Sequence, residues 1–134
     1  MVRETVKAIQ NTDRKPLVLG VSVLTSMNQQ DWSSLGHSES IQKTVQSWTQ
    51  KGQDWGLDGI VCSAHELENV PESLFKLVPG IRPEGFDVQD QARVVTPAEA
   101  VKRGASAIVV GRPITQAKSP ERAREVTERI LKEL

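Results

Sequence analysis

Ala107-Ile108-Val109-Val110-Gly111-Arg112-Pro113-Ile114-Thr115 is an apolar run that stops at a glycine and passes at once to an arginine. Ile108, Val109 and Val110 read as a buried strand, because the run is short, β-branched and uncharged. Gly111 lets a ligand approach the backbone closely, and Arg112 supplies a rigid fork of donors for an anion. Pro113 stiffens the exit, and Ser119-Pro120 opens a helix running to the C-terminus. The pattern predicts the phosphate-binding end of a strand in a β/α barrel.

The elements upstream fit that reading. Val2, Val6 and Ile9 have helical spacing, and the segment 11–16 breaks the helix. Residues 17–24 form a second near-continuous apolar strand that ends in the hydroxyls Thr25 and Ser26. A polar stretch follows, in which Trp32 and Leu35 suit a short helical turn. Ile41, Val45 and Trp48 mark one face of a helix ending near Gly52, and residues 57–62 form a third strand. Ser63 and Glu66 have capping-box spacing for a helix to about Asn69. Residues 75–78 form a fourth strand, and Thr96-Pro97-Ala98-Glu99 starts a helix that Gly104 ends. The final helix sets Ala123, Val126, Thr127, Ile130, Leu131 and Leu134 on one face. One helix followed by four strand-helix units predicts an α/β fold with a parallel sheet. Without repeats or a low-complexity linker, residues 1–134 are read without an internal domain boundary.

Composition narrows the function. The 134 residues carry 17 basic and 17 acidic side chains. That balance argues against a general nucleic-acid or membrane-surface binder. The single cysteine, Cys62, excludes an internal disulfide framework and suits a reducing cytoplasm. No apolar run approaches the roughly 18 residues of a membrane span. The N-terminus has no signal-peptide core and reads as a helix already under way, an unusual start for a complete domain. Cys62 reads as a small buried hydrophobe, His65 as a helix-surface residue, and His37 has no partners for a metal site. The three tryptophans read as packing residues.

In a parallel α/β arrangement, Thr25-Ser26, Ser63, Pro79-Gly80-Ile81-Arg82 and Gly111-Arg112 should all gather at the C-terminal strand edge, where sites form. The segment 79–95 is longer than an ordinary βα loop of about 2–6 residues. It carries Arg82, Asp87, Asp90, Gln91 and Arg93, and reads as a lid over an anion.

With these residues placed, the chain resembles the C-terminal half of the orotidine 5′-phosphate decarboxylases. The matching segments are residues 23–26, 57–63, 79–83, 90–93 with Thr96-Pro97, and 111–115, in the family's order. Two positions depart from the usual pattern: Val78 stands where the family has threonine, and Gln89 where it has glycine. The resemblance implies a partial (β/α)8 barrel, about strands five to eight, from a family that forms homodimers. It implies decarboxylation of orotidine 5′-monophosphate to UMP in pyrimidine biosynthesis, with no metal or organic cofactor. It also implies that Thr25 contacts the nucleotide, that Arg82 and Gln91 act from the loop after the seventh strand, and that Gly111 N–H and Arg112 hold the phosphate. Outside the resemblance, Thr25 also reads as an ordinary strand-end hydroxyl and Arg112 as a surface ion-pair residue.

The family's catalytic lysine sits in an Asp-x-Lys-x-x-Asp motif, and no such motif occurs here. No catalytic residue is therefore assigned, and the chain alone is expected to be inactive. A truncated gene product, part of a longer chain, or a half that pairs with another chain would each explain this. Two other functions stay open: a non-catalytic nucleotide-phosphate-binding module, and a related sugar-phosphate enzyme such as a hexulose-phosphate synthase. The Ile81-Arg82-Pro83 and Gln91 signals argue against the latter.

Overall fold

A computed structural model of the chain describes residues 1–86 and 93–134. Four strands, β1 (Leu19–Val21), β2 (Gly59–Val61), β3 (Phe75–Val78) and β4 (Ala107–Ile108), form one sheet in sequential order. All three pairings are parallel, with Val21 opposite Val61, Val61 opposite Leu77, and Leu77 opposite Ala107. The α/β parallel architecture is the expected one.

Seven helical segments accompany the sheet among the described residues. They are α1 (Val2–Gln10), α2 (Gln29–Ser34), α3 (Ile41–Asp54), a 3-10 helix (Ala64–Asn69), α4 (Pro97–Lys102), α5 (Arg112–Thr115) and α6 (Pro120–Glu133). Their starts follow local side-chain chemistry. Asn28 and Asp31 form a reciprocal capping box on α2, as Ser63 and Glu66 do on the 3-10 helix. Thr96 caps α4 with Pro97 in its first turn, as expected. Glu99 does not close a box there; it pairs instead with Arg103, one turn along.

The main core lies on one face of the sheet. Ile60 and Val78 pack beneath Ile41 and Val45 of α3, Leu67 of the 3-10 helix and Ala100 of α4. Cys62 is in this core, as read, and burial pushes its thiol up to about 12, with Glu66 adding to the effect. Trp32 is buried, stacks on His37 with ring centroids 3.6 Å apart, and meets Trp48 edge-on.

The strands are shorter than their apolar runs. The expected strand 17–24 pairs only over Leu19–Val21, and the expected 108–110 only over Ala107–Ile108. One further bond, from Val109 N–H to the Val78 carbonyl at 2.8 Å, extends the last ladder. On α6 only Val126 and Ile130 of the expected face are buried, whereas Leu131 and Leu134 are exposed. The helix crosses its neighbours along a narrower stripe than its apolar positions offer.

Candidate functional site

Because the sheet is parallel, all four strands finish at one edge. β1 leads through Ser22-Val23-Leu24 to Thr25, and Ser22 Oγ donates to the Val61 carbonyl at 2.8 Å, pinning this tip to β2. After β3, Gly80 has φ 77°, a left-handed conformation that favours glycine, and the turn delivers Ile81 and Arg82. Ile81 forms a parallel bridge with Val95, and Arg82 N–H donates to the Val95 carbonyl at 2.9 Å. After β4, Gly111 is the N-cap of α5, and its carbonyl accepts from the N–H groups of Ile114 and Thr115.

These tips line an open cavity of about 190 Å³ formed by Thr25, Pro79, Gly80, Arg82, Val109, Gly111 and Arg112. Four of the five sequence-predicted binding residues, Thr25, Arg82, Gly111 and Arg112, are therefore brought together. Thr25 and Arg82 are buried, and Arg112 is half-buried. The Arg82 guanidinium donates to the Ile81 carbonyl at 2.9 Å. The fifth residue, Gln91, lies outside the described residues, as do Asp87 and Asp90 of the same loop. A larger adjoining cleft of about 480 Å³ shares Arg82 and Arg112 and adds Lys118 and Arg122 from the approach to α6 and its first turn. The combined surface is cationic, and two guanidiniums on one cavity suit a bidentate oxyanion such as a phosphate.

Sequence reasoning missed the bracing behind this cavity. Arg93 pairs with the buried carboxylate of Glu66 and donates to the carbonyls of Val23 at 3.3 Å and Leu24 at 3.0 Å. Glu66 also accepts from Ser63 N–H at 2.9 Å. Burial pushes the Glu66 carboxyl up, against the opposing pull of Arg93 and the Ser63 N–H. The loop that starts at Pro79 is thus anchored, at its return, to the tip of β1 and to the 3-10 helix.

The remaining titratable groups stand apart from the cavity. His65 is on the surface, its pKa lowered first by partial burial and then by Arg103 and Arg93. Lys76 is buried on β3, with Nζ beside Gly104 ahead of β4, at the opposite end of the sheet from Gly111. None of the residues lining the smaller cavity is a lysine. Among the described residues, no cluster of three or more His, Cys, Asp or Glu side chains has metal-binding geometry. No helix among them is long and apolar enough to cross a membrane.

The family model described as "Orotidine 5'-phosphate decarboxylase / HUMPS family" matches residues 1–126. The chain belongs to that family. It is 48% identical over 110 residues to the orotidine 5'-phosphate decarboxylase of Aliivibrio salmonicida, covering 79% of this chain and 47% of that protein. It is 43% identical over 122 residues to that of Lawsonia intracellularis, covering 89% and 52%. The crystal structure of orotidine 5'-phosphate decarboxylase from Lactobacillus acidophilus superposes with a TM-score of 0.74 at 30% identity, over 99% of this chain and 57% of that one. The chain thus spans about half the length of the curated relatives it matches. Its four-stranded sheet is part of the family's β/α barrel.

Proposed function

We propose that residues 1–134 are the C-terminal, phosphate-holding half of an orotidine 5′-phosphate decarboxylase, about strands five to eight of the barrel. The carrying observation is the convergence of Thr25, Arg82, Gly111 and Arg112 on one cavity at the C-terminal strand edge. In this reading Gly111 N–H and Arg112 hold the 5′-phosphate of a pyrimidine nucleotide. Arg82 and Thr25 complete the nucleotide contacts, and Gln91 reaches over the phosphate toward the ring. Each charge-assisted hydrogen bond contributes about 1.5–3 kcal/mol. Binding energy gathered at this non-reacting group can drive loop closure and be used at the ring.

The reaction converts orotidine 5′-monophosphate to UMP and carbon dioxide. The ring carbon loses its carboxylate and gains a proton, so a positioned proton donor is required. The Asp-x-Lys-x-x-Asp frame that supplies it in the family is not in this sequence. The chain alone therefore binds the nucleotide without turning it over. The proposed setting is the cytoplasm, with homodimeric association as in the family, and with neither metal nor organic cofactor.

A second reading, a non-catalytic nucleotide-phosphate-binding module, shares the clamp, and the family match does not favour it. Titration calorimetry with UMP and a decarboxylation assay separate the outcomes. Binding of UMP that Arg112→Ala abolishes, with no turnover by the chain alone, is expected. Turnover by this chain alone would overturn the assignment of the proton donor, and absence of UMP binding would overturn the clamp.

A further inference from the structure

We propose that Arg93 is a positioning residue for the nucleotide site: it sets the Thr25 tip against Arg82 and acts on the ligand through Thr25. The proposal rests on the nucleotide reading above, which gives Thr25 its contact.

The β1 ladder ends one residue past the strand, at the bond from Ser22 N–H to the Val61 carbonyl at 3.0 Å. The chain then runs through Val23 and Leu24 to Thr25. Carbonyls that leave a ladder need another donor. Arg93 supplies one, because a single terminal nitrogen of its guanidinium donates to Val23 at 3.3 Å and to Leu24 at 3.0 Å. The other terminal nitrogen sits on the Glu66 carboxylate. Glu66 in turn accepts from Ser63 N–H at 2.9 Å, just past the end of β2. A guanidinium is a planar, rigid fork, so anchoring one prong on Glu66 fixes the direction of the other. The Arg93 side chain is 13% exposed and that of Glu66 4%, so water competes little for these bonds.

The same short segment holds Arg82. Two residues on from Arg93, Val95 bridges Ile81, and its carbonyl accepts from Arg82 N–H at 2.9 Å. Residues 93–95 therefore grip both the β1 tip and the turn after β3, whose residues Thr25 and Arg82 line one cavity. Arg93 itself does not line that cavity. It touches the frame of both contacts and not the space between them, so it affects binding by where it puts Thr25.

Calorimetric titration with UMP of the wild type, Arg93→Lys, Thr25→Ala and the double variant tests this. Lysine keeps a positive charge for Glu66 but loses the fork that reaches the two carbonyls. Arg93→Lys should bind UMP about fivefold more weakly, the size of one ordinary hydrogen bond. Thr25→Ala should lose about as much, and the double variant no more than either single one. A purely structural role would lower the denaturation midpoint and leave the affinity of the folded protein unchanged. Wild-type affinity in Arg93→Lys, or losses that add in the double variant, would overturn the proposal while leaving the nucleotide reading intact. A wild type that does not bind UMP would overturn that reading, and the proposal with it. If Arg93→Lys does not fold, hydrogen exchange of the wild type decides. UMP should then slow the Arg82 amide, bonded to Val95, and the Met27 amide, bonded to the Leu24 carbonyl, by similar factors. Protection of the Arg82 amide alone would overturn the proposal.

Discussion

Arg93 ties together three segments that are distant in sequence. Its guanidinium reaches the Val23 and Leu24 carbonyls and the Glu66 carboxylate, so it fixes the residue immediately before Thr25. Truncating it leaves Glu66 buried with no counter-charge, in a place where burial already raises its pKa. Arg93→Ala should therefore cost about 3–5 kcal/mol in urea denaturation, the range for breaking a buried ion pair. Arg93→Lys should recover only part of this, since a point charge cannot serve a carboxylate and two carbonyls together. A loss well under 1 kcal/mol would show the pair to be solvent-screened. At this scale the sequence was legible where the chemistry is local. The Ser63–Glu66 box shows in its spacing, and Gly111-Arg112 shows in its adjacency to an apolar run. The Glu66–Arg93 pair spans 27 residues and leaves no periodic trace, so Arg93 reads only as a polar loop residue.

Among the elements, the order of strands and helices was legible because uncharged runs alternate with amphipathic ones. Their extents were not. Apolar runs continue past the paired residues, since Val23 beyond β1 and Val110 beyond β4 still pack in or against the core. The short helix α5 was missed because its four residues hold Pro113 in the first turn and too little length for a hydrophobic period. Gly59 is an element-scale requirement of another kind. A Cβ there would overlap the Phe75 carbonyl oxygen, which belongs to the backbone of the neighbouring strand and cannot swing aside. It would also meet the Leu19 side chain at 2.7 Å. Gly59→Ala should therefore separate β2 from β3 and cost about 3 kcal/mol, at the upper end of ordinary overpacking. The measurement is the denaturation midpoint. An unchanged midpoint would mean that the strands shift to admit the methyl group.

For the whole molecule, one consequence of the topology dominates: four parallel strands put Thr25, Arg82, Gly111 and Arg112 on one rim, while Lys76 lies beside Gly104 at the other end of the sheet. That polarity follows from the alternation of elements and was legible. The exposure of Val21 and Val109 was not, because an uncharged run reads as buried on both sides. If the rim holds a phosphate through Arg82, Gly111 and Arg112, the affinity for UMP must follow the charge of that group. A phosphate monoester gains its second negative charge near pH 6. Neither a lysine nor a histidine lines the smaller cavity, and a guanidinium is in general not a titrating group in this range. The affinity should therefore rise as pH increases from about 5 to 7, by at most about tenfold per unit, and then level off. It should also fall with added salt, although less steeply than for exposed charges, because Arg82 is buried. Calorimetric titration at several pH values measures this, with uridine as the control that has no phosphate to titrate. A UMP affinity that stays flat with pH and equals that of uridine would place recognition at the ring or ribose, and the cluster of guanidiniums at the strand ends would need another explanation.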